Sequence, residues 1–164
     1  MATSAIPDAV DGLVAMCAAA TGTGQPLDGV TVYDGPPLES PSEERSLYIG
    51  YDEERGSTAG DIYGVEGTQE FLAMAGDRKE TFAIRCAATA RSGDTVMKTE
   101  RDRAFGIVAA VENLIRLHVT GSDITLGGSV LVSSIGGDIK LIQLQTTAGA
   151  YVKCTFYVQC LARI

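Results

Sequence analysis

Few residues of this chain could do chemistry. There is one histidine, His118, and there are four cysteines, Cys17, Cys86, Cys154 and Cys160. A cysteine nucleophile needs a base within hydrogen-bond reach, and His118 is the single imidazole available. It falls in the last turn of an apolar-periodic segment, where a partial positive charge suits a helix end. No two cysteines form a CxxC pair, so zinc and dithiol chemistry lack their spacing. Cys154 and Cys160 share one face of an alternating segment but lie about 20 Å apart at strand rise, beyond bridging distance. The expectation is four buried free thiols. Asp52, Glu53 and Glu54 could hold a hard cation, yet they lack the ligand spacing of a calcium loop. TGTGQPLDG (21–29) contains a GxG, but it follows a helix and lacks the third glycine of a dinucleotide turn. These residues predict no catalysis, no cofactor and no metal.

The elements that would position these residues are clearer. Ile6, Val10, Leu13, Val14 and Cys17 recur at helical spacing, predicting a helix over 5–19 with Ser4 as its cap. Val30, Val32 and Tyr33 suggest a short strand. Leu47, Ile49 and Tyr51 alternate within a second, at 46–51. ETFAIRCAATAR (80–91) alternates cleanly and predicts a third. Asp94 or Thr95 then caps a long helix, about 97–118, with Ala104, Ile107, Val108, Val111, Leu114 and Ile115 on one side. Segments 129–135, 138–146 and 151–164 read as three strands joined by GlyGlyAsp and ThrAlaGly hairpins. The middle one has apolar residues in both phases, which predicts a bulge or burial on both faces. Between the second and third strands, 52–68 is rich in glycine and acid and reads as a long loop or arm. Gln69–Ala75 reads as a helical turn or two.

The order predicts a single α+β domain, 1–164. It has a small antiparallel or mixed sheet flanked by two helices, a long acidic Gly-rich loop and a C-terminal three-strand meander. The last strand, YVKCTFYVQCLARI, would span about 46 Å, well beyond the usual 5–6 residues. That excess length predicts that part of it pairs with a neighbouring copy of the chain.

Charge narrows the partners. The net charge is −8, and residues 1–66 hold 12 acids against two bases. With no basic run, the chain is unsuited to gripping nucleic acid. The remainder is mildly basic, so the two halves could attract one another between copies. The first apolar stretch has no basic leader and carries Asp8 and Asp11, which predicts a reducing cytoplasm.

ETFAIRCAATARSGDTVMKTERDRAFGIVAAVENLIR (80–116) resembles the tail terminator proteins of long-tailed bacteriophages. There a strand of the pattern E-x-F-x-I-x-C leads into an SGD turn and an R-x-R-A helix. VYDGPPL (32–38), LYIGYDEE (47–54) and the final strand are similar to the same family. The resemblance implies a structural virion protein, assembled in the host cytoplasm and placed in the tail. It implies a homohexameric ring that caps the tail tube, stops its growth and docks to the head–tail connector. DNA would pass through the hole without specific binding. Tyr151, Lys153, Tyr157 and Gln159 are then expected at a subunit boundary. The loop residues Asp52, Glu53, Glu54, Arg55, Asp61 and Tyr63 are expected to touch tube or connector. A head-closure or tail-tube protein of the same particle is the alternative, and a small cytoplasmic enzyme is a more distant one.

Overall fold

The computed structural model describes residues 3–37, 42–52, 64–71, 77–116 and 121–164. In chain order the elements are α1 (Ile6–Ala19), β1 (Thr31–Asp34), β2 (Arg45–Ile49), β3 (Val65–Phe71), β4 (Arg78–Ser92), α2 (Met97–Ile115), β5 (Val132–Ile135), β6 (Lys140–Thr146) and β7 (Gly149–Arg163). The seven strands make one mixed sheet, so the α+β expectation holds.

Two strands of 15 residues, β4 and β7, form its middle. They pair antiparallel from Lys79–Arg163 at one end to Ser92–Ala150 at the other. The length of β7 is therefore matched inside the chain. Its other edge is also taken, by β6 along 149–155 and by β5 along 158–161. The expectation that part of this strand pairs with a second copy is corrected: β4, β5 and β6 occupy both of its edges.

The meander is corrected too. β5 and β6 do not pair with each other. Both run antiparallel to β7 on the same side, one after the other. The register slips by two residues between them, so residues 136–139 form a bulge in one long edge rather than a hairpin turn. The second join is a true hairpin, closed by the Thr146–Gly149 pair. Gly149 adopts φ +116°, and any Cβ there would stand 2.0 Å from the Ser92 carbonyl oxygen.

On the far side of β4, β2 covers the upper half and β3 the lower. β1 adds to β2 in parallel. β3 overturns two expectations. Val65–Thr68, expected in the loop, and Gln69–Phe71, expected in a helical turn, are strand. Gly67 and the acids hide it in the sequence. A Cβ at Gly67 would lie 2.5 Å from Phe82 Cβ, so the residue marks a close approach of two backbones.

Both helices lie on one face of the sheet. Leu13 and Cys17 of α1 and Ile107, Val111 and Leu114 of α2 close over Phe82, Ile84, Cys86, Val152, Cys154, Phe156 and Val158. All four cysteines are free and buried, as their spacing predicted. The caps fall differently from expectation. Ala5 precedes α1, and Ser4 stands one residue earlier, where its Oγ accepts from Ile6 N–H at 3.1 Å. The helix start is held instead by Glu80 of β4. That carboxylate accepts from Ala5 N–H and Ser4 Oγ at 2.7 Å each and from Gln69 Nε2 at 2.7 Å. Val96, not Asp94 or Thr95, stands at the start of α2 and gives no side-chain cap.

Candidate assembly surface

Alternation along β4 and β7 sends every second side chain to the face opposite the helices. Arg85 and Tyr157 face each other there, as do Thr89 and Lys153. The face is polar, and two of its charged groups are buried: Lys153 is 5% exposed and Asp52 2%. The Lys153 ammonium forms an ion pair with Asp52 Oδ1. Asp52 Oδ2 lies 3.9 Å from Arg85 Nε. Arg85 in turn donates from Nε and Nη2 to the Tyr157 hydroxyl at 3.2 and 3.0 Å, with its guanidinium 5.6 Å from that ring. Two cations thus converge on one buried carboxylate. Beside them Tyr33 stacks on Tyr48 with centroids 5.1 Å apart, and Tyr51 meets Tyr48 edge-on at 6.0 Å.

This geometry separates residues that the sequence grouped. Lys153 and Tyr157 belong to one network, joined through Asp52 and Arg85. Tyr151 lies elsewhere, lining a cleft of about 470 Å³ with Arg91, Leu144 and Thr146 at the upper end of the sheet. Gln159 lines a shallower hollow of about 270 Å³ beside β3. Asp52, expected on an exposed loop, is buried and ion-paired. Glu53, Glu54, Arg55, Asp61 and Tyr63 lie outside the described residues, and so does His118.

Nucleophilic chemistry has no support in the thiols. Burial pushes Cys17 and Cys160 up to about 12 and raises Cys86 and Cys154 as well. Among the described residues no group of three or more metal-ligating side chains converges. No described helix is long and apolar enough to cross a membrane.

The edges of the sheet are the more unusual feature. One edge is straight, because β5 and β6 together run alongside most of β7. All seven residues of β6 are exposed. Leu141, Ile142 and Leu144 are 39%, 40% and 45% exposed, and Ile139 just before them is 53%. The two apolar phases of this strand therefore lie open on both faces, which corrects the expectation of burial. The other edge is stepped. β1 stands one strand further out than β3, and β3 is exposed from Glu66 to Phe71. Among the described residues, no strand pairs with the outer side of β6, β3 or β1.

Sequence reasoning missed the Asp52–Lys153 pair because 101 positions separate its members, and only the fold brings them together. The open edge did have a signal, the doubled apolar phase of KLIQLQT. Compared with known proteins, the chain matches no family model and no curated sequence.

Proposed function

We propose that this protein is a structural subunit of a phage particle, a tail-terminator-like chain that closes into a homohexameric ring on the tail tube. The observation that carries the reading is the exposed edge of β6, seven residues long with apolar side chains open on both faces. Proteins that stay monomeric blunt such an edge with proline, several charges or a covering element. β6 has no proline and one charge, Lys140. A straight edge and a stepped edge are unlike surfaces, so contact between copies is head-to-tail, and such contacts give rings where the rotation between copies closes and filaments where it does not. The strand, SGD turn and helix at 80–116, with their resemblance to tail terminators, supply the particle.

On this reading the protein works by assembly and not by catalysis. The ring ends tube growth and offers the head–tail connector a flat docking surface. DNA threads the hole, and a subunit of net charge −8 repels it enough to let it slide. The subunit boundary passes along β6 and the Tyr151 cleft beside it, whereas Lys153 acts within the subunit. Light scattering on the purified protein, with and without tail tubes, tests the proposal, paired with negative-stain images of the same samples. Rings, free or recruited to tube ends, are the expected result. Long filaments would favour a tube protein, and a monomer indifferent to tubes would overturn the ring.

A further inference from the structure

We infer that the neighbouring copy is held by main-chain pairing of its β3 to the outer edge of β6, antiparallel, with Glu70 opposite Lys140. The inference rests on the ring reading and names the contact that makes it. Four observations converge on it. Both strands are seven residues long, and both are almost wholly exposed. Their directions suit each other: β3 and β7 both run antiparallel to β4, and β6 runs antiparallel to β7, so copies side by side offer opposed strands. Charge agrees, since β3 carries Glu66 and Glu70 on the helix-free face, where β6 carries Lys140 and no acid.

The stepped edge then selects the register. β1 protrudes one strand beyond β3, so copies set level would meet through β1 and leave β3 one strand short. β3 reaches β6 only when the neighbour is shifted along the strands until its β1 clears the end of β6. Placing Glu70 opposite Lys140 requires a shift of about 26 Å at strand rise. It carries the neighbour's β1 just past Thr146. The same register sets Phe71, 84% exposed, opposite Ile139, and Thr68 opposite Ile142. Side chains keep their faces, because the pairing joins even-numbered to even-numbered positions. The seven-stranded sheets of successive copies become one continuous sheet around the ring.

The test is oxidative cross-linking of the full chain carrying Thr68→Cys with Ile142→Cys, alongside each single variant and the unaltered protein. The four native thiols are buried and provide a silent background. The double variant should give a ladder of disulfide-linked oligomers on a denaturing gel, ending at a closed ring, and the other samples should stay monomeric. Light scattering is run on every sample before oxidation. As a second measurement, Glu70→Lys and Lys140→Glu should each shift the oligomer toward monomer at least tenfold in midpoint concentration, and the two together should restore it. Rings without a ladder or a charge rescue would overturn this contact and leave the ring reading standing. Monomers without a ladder would overturn both.

Discussion

The two faces of the β4–β7 pair are built from the same two strands and follow different rules. On the helix side, Phe82, Ile84, Phe156 and Val158 are 0–2% exposed and belong to the apolar core. That face is held by burial, and its residues are replaceable by others of similar volume. On the opposite side Lys153 and Asp52 are almost as buried, but they are held by one another. Removing a core side chain leaves a cavity. Removing Asp52 takes a buried carboxylate from beside two cations, Lys153 and Arg85. The lesson is that burial alone does not mark a core: on the helix-free face Lys153 and Asp52 are buried because their charges are arranged around each other.

The sharpest way to break this comparison is to take one residue from each face. Asp52→Ala should cost about 3–5 kcal/mol, because the buried Lys153 ammonium loses its carboxylate. Phe156→Ala should cost a similar 3–5 kcal/mol through the cavity it opens. Urea unfolding would report both, and a second change separates them. Adding Lys153→Met to Asp52→Ala should recover most of the loss. No single change elsewhere should rescue Phe156→Ala. If the Asp52→Ala, Lys153→Met double variant is as unstable as Asp52→Ala alone, the pair does not hold the face.

A smaller effect probes the carboxylate that starts α1. Burial works to raise the Glu80 pKa, but hydrogen bonds from Gln69, Ala5 N–H and Ser4, together with Arg78, outweigh it and hold the carboxyl below the ordinary glutamate value. A depressed folded pKa contributes stability above the unfolded value, and that contribution is lost as pH falls through the folded one. Unfolding free energy should therefore decline on acidification below about pH 4.5. Glu80→Gln should cost about 1–3 kcal/mol at neutral pH and flatten that decline. An unchanged pH slope in the variant would assign the acid sensitivity to other groups. Smaller again, Tyr157→Phe should cost about 0.5–1.5 kcal/mol, since it removes the acceptor for Arg85 but keeps the ring. The least effect is expected from Leu144→Glu on the open edge, which the inferred register sets opposite the neighbour's Glu66, within about 0.5 kcal/mol of the unaltered subunit. The same change should weaken self-association, which light scattering reads.

How far the sequence revealed this molecule depended on where each signal came from. Period-two alternation at 80–91 and 151–164 and the helical stripe from Ala104 to Ile115 located β4, β7 and α2 well, because one face of each is uniformly apolar. β3 escaped because it is an exposed edge with a glycine third among its seven residues, so no apolar alternation marked it. β5 and β6 were found as strands but joined wrongly. GlyGlyAsp is good hairpin chemistry, and only the register on β7 reveals that the chain steps outward and continues. Of the proposed boundary residues, Lys153 was misplaced for a related reason. A polar residue on a strand face suggests solvent, and nothing local to it announces a carboxylate from before β3.

The strand at the centre of the sheet is also the last of the seven in sequence. While a growing chain still lacks β7, β4 has no partner on one side, and β5 and β6 have nothing to line. The outer edge of β6 exists only after β7 has been inserted between strands made earlier. Synthesis thus sets an order: the β3 edge can form on β4 before β7 is made, and the β6 edge only after it.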